Sequence, residues 1–212
     1  MSKLYYVIVA MTGICVPAVA QAAYFSFDNA PQYGTVGGSS LTVDGVQANF
    51  STTGNGFSYQ AANVLGFTPS GFSGICIYPN SVFAADLQID FPTATVTGFS
   101  ILYSPEEYAC DSSALMRATA YLNGVYVGTS TMTANPPGTW PTATLAINAA
   151  GGFDRVVVHY ASAPPTGGDW GPIFMADNMN VTTASAVVGV PEPASLSIMG
   201  LGGVLLLRRR RR

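Results

Sequence analysis

The chain has 212 residues, of which only 9% are charged, and it carries 23 glycines and 14 prolines. Roughly a quarter of an ordinary soluble sequence is charged, so few side chains here are available for ionic chemistry. Between Tyr24 and Val190 ten carboxylates stand against two arginines, Arg117 and Arg155, a net charge of −8 that repels nucleic acid and suits divalent cations or neutral glycans.

Taken in order, the chain opens with one cation, Lys3, and an almost wholly apolar run from Leu4 to Val19. Ala20-Gln21-Ala22 supplies the small-x-small pattern of a signal-peptide cleavage site. Residues 1–23 are therefore expected to be removed on export, leaving a mature start near Tyr24. Cys15 is no lipoprotein site, because Ile14 stands where a small residue is wanted.

From 24 to 183 the period is two. Tyr24 to Phe27 alternates aromatics with Ser26, and Val46, Ala48 and Phe50 share one face of a strand. Leu87, Ile89 and Phe91 alternate with Asp86, Gln88 and Asp90, and Phe99, Ile101 and Tyr103 follow. Leu115–Leu122 and Val125–Met132 flank Asn123-Gly124, a pair suited to the positive φ angles of a type I′ hairpin turn. Strands are also predicted over 142–147, 153–160 and 173–183. No stretch shows a helical period and no internal repeat is present. Eight or more short strands with turns between them predict an all-β fold, a β-sandwich of jelly-roll-like form. Residues 184–189, small and uncharged, read as a linker.

Two cysteines, Cys76 and Cys110, remain after signal removal. In an oxidising compartment a lone pair reads as a disulfide, which would contribute roughly 3–4 kcal/mol for a loop of this length; the alternative is two buried free thiols. The single histidine, His159, lies in a strand pattern and reads as structural. No Gly-x-Ser-x-Gly elbow and no cluster of His and Cys ligands is present, so neither a serine hydrolase nor a zinc site is expected. Glu106 and Glu107 are adjacent, so on an extended chain they point to opposite faces and cannot flank one glycosidic bond. With Asp111 they form either a solvated acidic loop or one candidate calcium site. Asp28, after the first strand, and Asp177, on the last, form a second, because first and last strands often neighbour each other. Trp140 and Trp170 sit in Pro/Gly-rich loops, where each ring either caps the sandwich or stacks on a sugar.

The chain ends on Val190-Pro191-Glu192-Pro193, an apolar run from Ala194 to Leu207, and five arginines, Arg208, Arg209, Arg210, Arg211 and Arg212. The prolines isolate the run from what precedes it. As a helix rising ~1.5 Å per residue it reaches only ~21 Å, short of the ~30 Å hydrocarbon core, and snorkelling arginines recover part of the deficit. Lys3 and the terminal arginines both belong on the cytoplasmic side, which places everything between them outside.

This order of Pro-Glu-Pro, apolar helix and arginine cluster resembles the PEP-CTERM protein-sorting signal. The resemblance implies a bacterial exported protein, held transiently in the inner membrane by residues 190–212. An exosortase would then process it for the cell surface or the extracellular matrix, in association with exopolysaccharide and biofilm. A second resemblance rests on Phe27-Asp28, Phe153-Asp154-Arg155-Val156 and Ala176-Asp177-Asn178 with Val181, which are similar to segments of bacterial extracellular β-sandwich modules, carbohydrate-binding jelly rolls among them. The expectation is a non-enzymatic surface or matrix protein, with Ca2+ as its one candidate cofactor. The alternatives are a glycan-binding module, a glycan-active hydrolase and, for the tail alone, a plain membrane anchor.

Changing Pro191, Glu192 and Pro193 to alanine should hold the precursor in the inner-membrane fraction with its arginines attached. The wild-type protein should be released without roughly its last twenty residues. Intact mass of the released protein is the measurement, and released native protein that still carries Arg212 would leave only the plain anchor.

Overall fold

The computed structural model describes residues 20–31, 37–52, 56–64, 66–79, 86–105, 115–134, 141–162 and 174–184. Residues 20–184 form one compact unit. Residues 1–19 and the sorting tail lie outside the described residues, as do Glu106, Glu107, Cys110, Asp111, Trp140 and Trp170. Among the described residues no helix is long and apolar enough to cross a membrane.

Among the described residues the unit has twelve strands: β1 (Ala22–Phe25), β2 (Gly38–Val43), β3 (Val46–Thr52), β4 (Phe57–Ala61), β5 (Ile75–Pro79), β6 (Leu87–Asp90), β7 (Val96–Pro105), β8 (Leu115–Leu122), β9 (Val125–Thr133), β10 (Ala143–Phe153), β11 (Arg155–Ser162) and β12 (Phe174–Thr183). They form two six-stranded antiparallel sheets. The front sheet has the order β2-β3-β6-β11-β8-β9, and the back sheet has the order β10-β7-β12-β5-β4 with β1 also on β12. The expected all-β sandwich is the observed architecture.

The alternation seen in the sequence is the reason for the two layers. Val46, Ala48 and Phe50 on β3, Leu87 and Ile89 on β6 and Val156 and Val158 on β11 turn inward, each no more than 1% exposed. They meet Phe99, Ile101 and Tyr103 of β7 and Leu145 of β10 in a single core. Aromatic edges fix its upper part: Phe50 takes Phe25 and Phe27 edge-on, at ring separations of 6.5 and 5.6 Å. Tyr103, buried on the back sheet, donates its hydroxyl to the Met132 carbonyl of β9 on the front sheet at 2.6 Å. Burial raises its pKa, so the phenol stays a donor.

Two hairpins join strands within the front sheet. At Asn123-Gly124 both φ angles are positive, 51° and 78°, and Leu122 pairs with Val125. Asp44-Gly45 does the same between β2 and β3, with φ of 47° and 77°. These are the mirror-image turns that match strand twist. A second, smaller cluster lies outside the back sheet, where the β4–β5 connection folds over it: Ala62 and Phe72 pack on Cys76 and Met175.

Phe50→Ala removes a fully buried ring that two other rings abut, and should cost about 3–5 kcal/mol of unfolding free energy in urea titration. A cost under about 1 kcal/mol would mean that the core does not close as described.

Candidate functional site

Because inward residues take every second position, the others build the outer face of the front sheet. The pairing registers set them in rows. Asn49 of β3 stands beside Asp90 of β6, Asp90 beside Arg155 of β11, Arg155 beside Tyr121 of β8, and Tyr121 beside Tyr126 of β9. The next row runs Ser51, Gln88, Val157, Thr119 and Thr129. A third sets His159 against Arg117 and Arg117 against Thr131. Both arginines of the span 24–190 therefore stand on one face.

These side chains hold one another. Arg155 Nε donates to Asp90 Oδ1 at 2.5 Å, and Gln88 Nε2 donates to Asp90 Oδ2 at 2.8 Å. Gln47 Nε2 reaches Ser40 Oγ at 3.0 Å and Asn49 Oδ1 at 3.1 Å. Arg117 Nε donates to His159 Nε2 at 2.7 Å, and Asp86 Oδ1 lies 3.7 Å from His159 Nδ1. Burial and the Arg117 charge lower the His159 pKa, against the opposing pull of Asp86, so the ring is neutral at neutral pH. At the end of the first row the Tyr121 and Tyr126 rings meet edge-on, 6.5 Å apart and at 79°. Tyr126 is 59% exposed.

The first row runs into an open cleft of about 800 Å³ at the end of the sandwich, lined by Asp90, Thr93, Thr95, Asn123, Asp154 and Arg155 among others. Asp154 shapes it. The chain passes from the back sheet to the front sheet there, with β10 ending at Phe153 and β11 beginning at Arg155. The Asp154 backbone bonds to Tyr121 and Phe91, and its Oδ2 accepts the Asn123 amide at 2.9 Å. Of the two carboxylates in the cleft, one is thus bound to Arg155 and Gln88 and the other pins the hairpin turn.

On the back sheet the structure brings Asp28 and Asp177 to one place, because β1 pairs with β12. Asp28 Oδ1 accepts the Ile75 amide at 2.9 Å. Asp177, with no exposed surface, accepts Ser73 N at 3.3 Å and Asn178 N at 2.7 Å. The two carboxylates grip the end of the β4–β5 connection. Gly74 lies between these anchors at φ +59°, where a Cβ would overlap the Asp28 carboxylate. Burial pushes the Asp177 pKa up to about 6; the Asn178 and Ser73 amides oppose the shift and the Asp28 charge adds to it. Calcium wants six to eight oxygens. Among the described residues no group of three or more His, Cys, Asp or Glu could hold a metal, so a calcium ion here would need backbone carbonyls or water beside the two aspartates. The other acidic candidates and the two tryptophans lie outside the described residues. Cys76 is buried in the outer cluster, with Sγ 3.5 Å from the Gln60 carbonyl, and its expected partner Cys110 lies outside the described residues.

Residues 189–212 match the PEP-CTERM protein-sorting motif. The chain carries a PEP-CTERM sorting signal. The match spans the last 24 of the 212 residues and leaves the rest of the chain to be read from its own geometry. No curated protein matches the sequence. Solved structures similar to it include TmCBM27, a carbohydrate-binding module of specific mannan recognition, at 11% identity over 79% of this chain and 100% of that one, TM-score 0.38. CBM29_1, a family 29 carbohydrate-binding module from Piromyces equi, follows at 9% identity over 82% and 97%, TM-score 0.36. The Agl-KA catalytic domain is similar at 15% identity over 77% of this chain and 31% of that one, TM-score 0.34. Overlaps this loose carry no argument about ligand or activity.

The Asp177 pKa has a measurable consequence. A carboxyl at about 6 when folded and ~3.9 when unfolded takes up a proton on folding between those values. Its contribution favours the folded state at the acid end and is lost as pH rises through about 6. In chelator, the stability difference between wild type and Asp177→Asn should therefore shift against the wild type from pH 4 to about 6. Calcium, if it binds here, should raise the wild-type melting temperature at neutral pH and leave the variant unmoved. Parallel pH profiles for the two proteins would refute the shift.

Proposed function

We propose that this chain is an exported, non-enzymatic surface or extracellular-matrix protein, sorted by an exosortase through the inner membrane, whose front sheet binds neutral glycan of an exopolysaccharide. The observation that carries the reading is the row Asn49–Asp90–Arg155–Tyr121–Tyr126. In a domain of net charge −8 this face balances its ions: Arg155 is matched by Asp90, and Arg117 stands with a neutral His159 and Asp86 close by. What it offers is amide, carboxylate and guanidinium hydrogen bonding with an aromatic end, and that suits the hydroxyls and apolar ring faces of an uncharged sugar.

Binding is favoured over hydrolysis by the state of the cleft carboxylates. A general acid or base must reach the proton that it moves, whereas Asp90 and Asp154 are held in bonds that shape the site. The jelly-roll-like reading draws support from the path of the chain, which changes sheet between β1 and β2, β3 and β4, β5 and β6, β6 and β7, β7 and β8, β9 and β10, β10 and β11, and β11 and β12.

Residues 20–184 close their own core and can be tested directly. They should be retarded by one or more neutral polysaccharides in affinity electrophoresis. Tyr126→Ala, which alters an exposed ring, should weaken binding about tenfold, ~1.4 kcal/mol, with the melting temperature unchanged. Asp90→Ala should abolish the retardation. If no neutral glycan retards the domain, or both variants bind as wild type does, the site is elsewhere; release of reducing ends would make it a hydrolase.

A further inference from the structure

We propose that the outer face of the back sheet holds a second binding site, a groove over Gly98 that takes one neutral sugar unit of a polysaccharide. The groove has a volume of about 240 Å³ and is lined by Gly98, Ser100, Ala146, Asn148, Asn180 and Thr182 among others. The strand registers build it. Asn148 of β10, Gly98 of β7 and Thr182 of β12 form one row. Ala146, Ser100, Asn180 and Tyr24 of β1 form the next. Gly98 opens the floor, since a Cβ there would stand 2.9 Å from Asn148 Oδ1 and 3.4 Å from Thr182 Cβ. Ser100 and Ala146 keep the rest of the floor low. The ladder is irregular on both sides of β7. The β10 register shifts after Asn148, and the β12 register shifts between Asp177 and Asn180, where Asn178 takes a φ of 52°. Such irregularities re-aim side chains and gather beside binding sites. The following row differs, because its Leu102 packs on the outer cluster that covers the sheet. The groove occupies the two rows next to that covered one, and Ala146, Asn148, Asn180 and Thr182 are all exposed.

Three properties select the occupant. The first is the backbone. β7 is paired on both sides, to β10 and to β12, so no added strand can seat there and a ligand must be met by side chains. The second is charge. None of the described lining residues is charged, so the groove offers no counter-charge to a phosphate, sulfate or carboxylate. The third is unspent hydrogen bonding. Among the described residues the Asn148 amide and the Ser100 hydroxyl have no hydrogen-bond partner, and Asn180 spends only its Nδ2, on the Asn178 carbonyl at 3.2 Å. Amides and hydroxyls both donate and accept, as each sugar hydroxyl does. Tyr24, 50% exposed, stands beside Asn180 with its hydroxyl bonded to Asn178 Oδ1, so a tethered aromatic ring borders the amides. The volume falls below the ~300–1,000 Å³ of sites that enclose a drug-sized ligand, so one sugar unit fills it. The groove stands on its own geometry. Its consequence rests also on the front-sheet reading: with two sites facing opposite ways, the domain is bivalent and ties separate polymer chains together.

The test follows the backbone amide resonances of isotopically labelled residues 20–184 during titration with cellopentaose, laminaripentaose and mannopentaose as neutral probes. At least one probe should move the amides of 98–100, 146–148 and 180–182 as one saturable set, and an oligomer of mannuronic acid should not. Asn148→Ala, at an exposed position, should weaken binding at that set about tenfold with the melting temperature unchanged. Gly98→Ala, which fills the floor, should weaken it as much without lowering the melting temperature, because alanine suits a strand better than glycine does. Shifts confined to Asp90, Tyr121 and Tyr126 overturn this proposal and leave the front-sheet reading standing. Shifts confined to the back-sheet set support this proposal and overturn that reading. No movement of the back-sheet set with any neutral probe, tighter binding of the acidic oligomer, or wild-type affinity in both variants also overturns it.

Discussion

β12 carries the back sheet. β7 lies along one side of it, and β1 and β5 share the other, with Ala176 paired to Ile77 and the stretch Met179–Thr182 paired to β1. A strand with three partners has its backbone groups satisfied along most of its length, and its inward residues Phe174, Ala176, Met179 and Val181 are all buried. Much follows from that placement. The first strand is held by the last, so the start and the end of the domain lie side by side. Asp28 and Asp177 come together at one end of the pair, and the β4–β5 connection is fastened by the amides that those carboxylates accept. The outer cluster of Phe72, Ala62, Cys76 and Met175 then covers part of the back sheet's outer face.

The front sheet faces a different constraint. Its outer side has no such covering segment among the described residues, so its polar side chains satisfy one another across strands. With so few charges in the domain, pairing Arg155 with Asp90 and setting Arg117 on His159 places both cations where they organise a surface. Surface ion pairs contribute little to stability, typically under ~1 kcal/mol. The half-exposed Arg155–Asp90 pair therefore matters more for holding a geometry than for holding the fold. Asp154 has the opposite role. It stands where the chain changes sheets, and its backbone and side-chain bonds tie β6, β8 and the Asn123-Gly124 turn to one corner.

How much of this could be read from the sequence depends on which faces are buried. Strands with one wet face showed a clean alternation, and Val46–Phe50, Leu87–Phe91 and Phe99–Tyr103 were legible for that reason. β4 and β5 were not. Ser58 is 1% exposed, and Cys76 packs outward into the outer cluster, so both faces of these strands are covered and the period of two is blurred. β2 was missed because an edge strand needs few apolar residues, and only Leu41 and Val43 pack partly on the core. Its turn, Asp44-Gly45, was a usable signal. The meeting of Asp28 and Asp177 followed from first and last strands being neighbours. The row from Asn49 to Tyr126 did not, because it depends on the registers of five strands and no single strand displays it.

The sorting tail and the composition of the domain answer to one physical condition. A chain exported and held transiently in a membrane by its sorting signal gains from having few cations ahead of its terminal arginines, since positive charge near a span fixes topology. Arg117 and Arg155 lie far from that terminal cluster in sequence, and both stand on the front face. Low charge has a structural cost, however, because charged residues are the usual guard on sheet edges. Here the edges are guarded by other means. β1 shares β12 with β5, the Asp44-Gly45 hairpin ends β2 early, and Val127 breaks the register of β9 near the exposed Tyr126.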